Sequence, residues 1–284
     1  MAEFTNQASL RYNNTVTNSN IVVGNLVQAL EVTKTAVRTE YSSDDDTIYV
    51  ISIRNSGTTP YNGLTVTDDL GAYQYNTTTL VPLDYADGSL RYFINGELQP
   101  EVTPTAGSSL TVTGISVPAG GSTILVYETH PNIYAPLDAE GEITNTVTVT
   151  GTGIGEALTD KETISAAIGA QLTISKAINP STITANGQVT YTFVIQNIGN
   201  KAADEDLGAV VEDTFEPRLT DLRAAFNGGP LTLNTDYTYD QATGVFATTP
   251  GTVTVPAAQF SRNERTGAVE ITPSVSVLTV TGTI

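Results

Sequence analysis

A lysine, a carboxylate and a carboxamide each share strand parity with aliphatic residues in this chain. Leu30, Val32, Lys34 and Ala36 fall on one face of "LEVTKTAV", and Leu64, Val66, Asp68 and Leu70 on one face of "GLTVTDDL". Ile143, Asn145, Val147 and Val149 do the same in "EITNTVTV", because successive side chains of a strand point to opposite sides. A lone buried ammonium or carboxylate is costly, so such groups must be paired or neutralised. Desolvation lowers the pKa of an amine and raises that of a carboxylate, which lets a proton pass from Lys34 to Asp68. The neutral amine is then a nucleophile, and the protonated Asp68 can hydrogen-bond the side-chain carbonyl of Asn145. Ammonia leaves, and an amide links Lys34 to Asn145. A rigid fold supplies the effective molarity, so the step needs no separate enzyme. Three plainer readings stay open: a lysine on a solvated edge strand, an ordinary buried ion pair, or a register slip that turns all three outward. The choice of Asp68 over Asp69 rests on parity.

The elements that must position these groups are strands. Runs such as "TIYVISIRNSG", "SLTVTGISVPAGGSTILVY" and "QVTYTFVIQNIGN" alternate apolar residues with Thr, Ser or charge, and Gly and Pro punctuate them at the spacing of a β-sandwich. The set occurs twice. "LEVTKTAV" (30–37) matches "LTISKAIN" (172–179), "YVISIRNSG" matches "YTFVIQNIG", "GLTVTDDL" (63–70) matches "GAVVEDTF" (208–215), and "LRYFINGELQ" matches "LRAAFNGGPL". Lys176 thus corresponds to Lys34 and Asp213, chosen over Glu212 by parity, to Asp68. Copy one closes with "GEITNTVTVTGTG" (141–153). In copy two, "AVEITPSVSVLTVTGTI" (268–284) reads as the partner of "GSTILVY", and nothing is left for a closing strand.

A substitute stands at the front of the chain. "EFTNQASL" aligns on "EITNTVTV" position by position, Phe4 on Ile143, Asn6 on Asn145, Ala8 on Val147 and Leu10 on Val149. The spacing agrees as well: Asn145 to Lys176 is 176 − 145 = 31 residues and Asn6 to Lys34 is 34 − 6 = 28. The expected layout is a donor strand over 1–15, a connector over 16–29, a first sandwich over 30–153, a linker over 154–171, and a second sandwich over 172–284 that lacks its own last strand.

Composition bounds the function. The chain has 284 residues, 12 basic and 30 acidic, for a net charge of −18, which argues against nucleic acid and anionic membranes as partners. Without cysteine there is no disulfide framework and no thiolate zinc site. No run has the length of a membrane span, and no secretion signal is evident at the N-terminus. The acidic stretches "SSDDDT" and "KAADED" lack a specific calcium-loop spacing and read as solvated turns. His130, in "ETHPNIY", has no nucleophile motif beside it, and "GTGIGEA" follows a strand with no helix after it, so no cofactor and no enzyme activity are expected beyond a single-turnover crosslink.

At these residues the chain resembles the duplicated domain-of-unknown-function repeats of bacterial surface proteins, with a first-strand lysine ("VTKTA", "ISKAI"), an aspartate after "GLTVTD" and a final "ITNTVTVTG". With two repeats in 29.9 kDa it also resembles the major subunits of clostridial spore appendages. The trio is similar to that of Gram-positive pilin and collagen-adhesin domains. That resemblance implies Lys34 as nucleophile, Asp68 as proton shuttle and Asn145 as acceptor; the matched parity and spacing extend the same roles to Lys176, with Asp213 as shuttle, in a bond to Asn6 of another subunit. Copy two departs from the pattern, since "EITPSVSV" carries Pro273 and no asparagine. The expectation is an all-β chain of two tandem immunoglobulin-like β-sandwich domains with an N-terminal donor strand. It would be an extracellular or spore-surface filament subunit whose partner is another copy of itself, joined to the surface by an anchoring protein. An adhesive or ligand-binding surface module, in which crosslinks serve only stability, is the alternative.

Overall fold

The computed structural model describes residues 2–26 and 29–284. Among them the regular structure is strand, with one 3₁₀ turn at Glu205–Leu207, as the β-branched composition and close-set turn residues require. No described helix is long and apolar enough to cross a membrane. The chain divides into two compact units, one of residues up to 39, 44–131 and 144–164, the other of 40–43, 132–143 and 165–284.

The first stretch pairs with itself. β1 (Ala2–Asn6) runs antiparallel to β4 (Val22–Leu26), and β2 (Ser9–Tyr12) to β3 (Thr15–Asn18). Asn13 and Asn14 make the turn at φ 41° and 64°, the left-handed pair that a tight hairpin requires and asparagine tolerates. The Phe4 ring lies over Gly24, where an added Cβ would fall 2.3 Å from the ring. Phe4, Leu10, Tyr12, Val16, Val22 and Val23 are all exposed. The donor strand expected over 1–15 and the connector over 16–29 are therefore, within the described residues, the two arms of one hairpin. The Asn-Asn turn and the complementary "TVTNSNIVV" give the first arm a partner in its own chain.

In the first unit the strands are β5 (Leu30–Ala36), β6 (Thr47–Asn55), β7 (Tyr61–Asp68), β8 (Arg91–Ile94) and β9 (Leu110–Val117), followed by β10 (Ser122–Pro131), β11 (Glu142–Thr150) and β12 (Leu158–Ala166). They form two sheets, ordered β8–β10–β6–β5 and β9–β7–β11–β12. Alternate residues of each, such as Val32, Ile51 and Leu125 on one and Leu64, Val66, Val112, Val147 and Val149 on the other, are buried, the pattern of a sandwich with one wet and one dry face per sheet. β12 occupies the segment expected as a linker over 154–171. Its dry parity carries Asp160 and Glu162 between Leu158 and Ile164, which hides the alternation. The inward place of Asp160 is explained by the backbone N–H of Lys34, which it accepts at 2.7 Å.

The second unit repeats the plan with β13 (Leu172–Asn179), β14 (Gln188–Asn197), β15 (Glu212–Thr214), β16 (Thr220–Phe226), β17 (Tyr237–Asp240), β18 (Val245–Thr248) and β19 (Ser274–Thr283). Its sheets are ordered β13–β14–β19–β16 and β15–β18–β17. β19 pairs with β14 and β16 as β10 pairs with β6 and β8. Asn55 and Asn197 show the duplication at the level of side chains. Each donates its Nδ2 to two carbonyls, Thr59 and Pro118 in one case and Lys201 and Pro256 in the other. Each also accepts from the glycine two residues on, at 2.9 Å. A core of Val189, Phe193, Phe215, Leu219, Phe246, Val255, Leu278 and others fills this unit.

The units differ at one edge. β7 is flanked by β9 and by β11, with Asp68 opposite Leu110 on one side and Val147 on the other. β15 pairs with β18, Asp213 opposite Phe246, and no described strand lies on its other side. β5 alternates buried and exposed residues, whereas every residue of β13 is exposed.

Candidate functional site

The first unit brings Lys34, Asp68 and Asn145 into one buried cluster, at 2%, 1% and 0% exposure. β5 supplies the lysine from one sheet, and β7 and β11 supply the acid and the amide from the other. The Lys34 ammonium donates to Asp68 Oδ2 and to the Tyr127 hydroxyl, the latter at 2.7 Å. Tyr127 in turn donates to Asp68 Oδ2 at 2.5 Å and accepts from Asn145 Nδ2 at 3.4 Å. The Tyr49 and Tyr127 rings stack at 5.8 Å and 22°, and Lys34 Nζ lies 4.5 Å and 5.3 Å from their centroids. Such a site weakens the cation's hydration while leaving it some electrostatic compensation from the ring faces.

A tight turn completes the cluster. Leu70 and Gly71 take φ of 54° and 74°, and for leucine the left-handed region costs about 1 kcal/mol. Strain of this kind concentrates where a backbone group must be aimed. Here the Leu70 N–H donates to Asp68 Oδ1 at 3.0 Å and the Gly71 N–H to Asn145 Oδ1 at 3.3 Å. Asp69 faces the other way and accepts from the Gly71 and Thr146 N–H groups at 2.9 Å and 2.8 Å. The Gly71 N–H is thus shared between Asp69, its nearer acceptor, and the amide oxygen of Asn145, a contact that the sequence assigns to Asp68.

Charge follows burial. Desolvation pushes the Lys34 amine below its ordinary range, against the opposing pull of the Asp68 carboxylate. Desolvation, then the Asp68 charge, raises the Tyr127 hydroxyl well above its own. A buried amine with a weakened hold on its proton, a carboxylate in contact with it and an amide whose oxygen meets an N–H are the parts of an acyl transfer.

The second unit keeps half of this. Lys176 pairs with Asp213, but their side chains are 40% and 17% exposed. The lysine lies among three rings, 4.6 Å from Tyr191, 5.5 Å from Phe193 and 5.2 Å from Phe215. Val280 faces Tyr191 across the ladder as Tyr127 faces Tyr49. In place of the glycine turn, the Phe215 N–H goes to the Gly244 carbonyl. Asn6 is exposed in the hairpin, its backbone in register with Val22, and Phe4, Ala8 and Leu10 are exposed beside it.

Tyr127 and the Gly71 N–H belong to the site although sequence parity does not single them out. The first carries a signal, since Leu125, Tyr127 and Thr129 share the dry parity of "STILVYETHP" and a buried phenol needs a polar partner. His130 lies beside Asp46, both about half exposed. Among the described residues no group of three or more His, Asp or Glu is placed to hold a metal ion.

Fold and site together define a tandem β-sandwich chain with one closed, lysine-bearing polar core and one open counterpart. No protein-family model and no curated protein matches it. Among solved structures it is similar to the major pilin subunit of Bacillus cereus, at 12% identity over 95% of this chain and 73% of that one, TM-score 0.38. It is similar to the pilus backbone protein of Streptococcus pneumoniae at 10% identity, over 86% of this chain and 55% of that one, TM-score 0.35. The collagen-binding domain of a Staphylococcus aureus adhesin is 12% identical over 50% of this chain and 99% of that one, TM-score 0.31. These likenesses are too weak to carry function, and the fold rests on the strand pairings above.

Proposed function

We propose that the chain is the structural subunit of an extracellular or spore-surface filament, in which the N-terminal strand of one copy completes the second sandwich of the next. The observation that carries this reading is the open edge of β15 beside the uncovered face of β13. In the first unit β11 fills the same place. Residues 2–12 repeat the pattern of β11, and in its register Ala8 falls opposite Asp213 and Leu10 opposite Val211. Main-chain hydrogen bonds supply affinity in such strand addition, and alternate side chains set the register. An isolated two-stranded hairpin is only marginally stable in water, so β1 and β2 can leave their arms at small cost. Head-to-tail contacts of this kind do not close, and they generate fibres.

Asn6 then lands beside Lys176 and Asp213, and the incoming strand desolvates them. Acyl transfer between the corresponding groups, as from Lys34 to Asn145 but with no counterpart of the Tyr127 hydroxyl, joins Lys176 to Asn6. Each site reacts once, so the protein is its own substrate and turns nothing over. The surface to which the filament is anchored is reached through another protein.

Deletion of residues 1–12 tests strand donation. Electron microscopy should show filaments from the full chain and monomers from the truncated one; filaments from the truncated chain would defeat the reading. Lys176→Ala should still form filaments, but these should dissolve in hot detergent where the parent gives a ladder.

A further inference from the structure

We infer that Tyr127 is a catalytic residue of the first-unit crosslink, its hydroxyl carrying a proton between Asp68 and the amide nitrogen of Asn145 that departs as ammonia. This rests on the crosslinking chemistry proposed above. The hydroxyl oxygen is in hydrogen-bond contact with all three reacting groups, at 2.7 Å from Lys34 Nζ, 2.5 Å from Asp68 Oδ2 and 3.4 Å from Asn145 Nδ2. The Gly71 N–H, shared with Asp69, also meets the amide oxygen at 3.3 Å, and the amide nitrogen faces Tyr127.

The protons balance through this arrangement. Lys34 enters as an ammonium with three protons and Asp68 as a carboxylate. Asp68 takes the first, and the free amine attacks Cγ of Asn145 with its lone pair while charge develops on the oxygen facing Gly71. A new N–C bond forms and the bond from Cγ to Nδ2 breaks. Asp68 removes the second proton from the attacking nitrogen as the first is passed on: Tyr127 gives its hydroxyl proton to the departing nitrogen and is reprotonated by Asp68. One proton of the original three ends on the new amide, one on the ammonia and one on Asp68. Burial raises the Tyr127 hydroxyl well above its ordinary range, which suits a relay that never rests as phenolate.

The second unit sharpens the assignment. Val280 occupies the position of Tyr127 opposite the paired tyrosine, and Phe215 takes over the ring contact, 4.8 Å from Tyr191. That site keeps its aromatic wall and loses its hydroxyl. Any transfer at that site proceeds without this relay, so the relay belongs to the first-unit bond alone.

The test is Tyr127→Phe, which keeps the ring, its stacking on Tyr49 and its contact with Lys34. The full-length chain is made by cell-free synthesis, and intact mass is followed over time for the loss of ammonia assigned by peptide mapping to Lys34 and Asn145. The parent should lose it promptly and Tyr127→Phe roughly 10²-fold more slowly, the size of effect expected of a positioned proton carrier. The detergent-resistant ladder from Lys176 should form at an unchanged rate in the variant, which reports that the second unit and the donor strand are intact. Equal rates of the internal reaction in parent and variant would overturn the role of Tyr127 and leave the crosslink standing. A parent that never loses ammonia from Lys34 and Asn145 would overturn both. Folding of the first unit is read by comparing Tyr127→Phe in a Lys34→Ala background with Lys34→Ala alone by circular dichroism; a folded pair with a slow single variant supports the relay, and an unfolded double variant contradicts the benign ring replacement on which it rests.

Discussion

The same lysine and aspartate occur in both units, and they are found in opposite conditions. In the first unit a strand from each flank closes over β7, Lys34 is dry, and hydrogen bonds from Tyr127, Leu70 and Gly71 converge on it and its partners. In the second the flank opposite β18 has no described strand, and Lys176 is wetted along a strand exposed from end to end. The difference teaches what the closing strand does. It contributes Asn145 and it also buries the lysine, and burial is the leading cause of the lowered Lys34 pKa. On the proposed chemistry, an open site would stay unreactive until a strand arrives.

That comparison can be broken by placing the same charge at equivalent positions. Val32 and Ile174 correspond, at 8% and 55% exposure. Val32→Asp should cost roughly 3–5 kcal/mol by leaving an unpaired carboxylate in the core, measured by urea melts. Ile174→Asp should change monomer stability by less than about 0.5 kcal/mol and still block filament growth. Equal costs at both positions would mean that β13 is covered within its own chain.

The two asparagines sharpen it next. Asn145→Ala should retain the mass of ammonia and lose roughly 4 kcal/mol, the loop-closure stabilisation known for crosslinks spanning loops of about 100 residues. Asn6→Ala should leave the monomer's melting unchanged and abolish the detergent-resistant ladder.

The smallest effect is one of pH. In Asn145→Ala, which cannot crosslink, burial should still hold the folded pKa of Lys34 below its ordinary value of 10.5. Between the two, the unfolded chain holds the extra proton, so folding stability relative to the Lys34→Met, Asn145→Ala double variant should rise with pH across that window. The slope is at most about 1.4 kcal/mol per pH unit, and below the folded pKa the difference should be flat. Denaturant melts across the alkaline range measure it. A difference that falls with rising pH would mean that the Asp68 charge outweighs desolvation.

Much of this is legible in the sequence, and the exceptions have physical causes. A period of two identifies dry faces without regard to what sits on them, so Lys34, Asp68 and Asn145 can be placed together by parity. The matched "LRYFING" and "LRAAFNG" locate β8 and β16 through their shared Asn-Gly turns. Tyr127 escapes notice because tyrosine is ordinary on a dry strand face until its hydroxyl is asked for a partner. The turn at Leu70 and Gly71 is hidden because leucine gives no hint of a left-handed backbone. β12 has the look of a linker because Asp160 and Glu162 break its alternation, and the reason for Asp160 is a backbone N–H on a strand 126 residues away. The self-pairing of residues 2–26 is signalled only at Asn13-Asn14, a turn that competes with donation to a neighbour.

Where Asn6 goes decides between a hairpin that stays at home and a strand that joins two copies. Filaments assembled from an equal mixture of isotopically light and heavy subunits, digested and read by tandem mass spectrometry, should yield a branched peptide joining Asn6 to Lys176, with mixed light–heavy forms showing that the two residues come from different copies. Linear peptides alone at both positions, or a branch made only of same-label pairs, would contradict it.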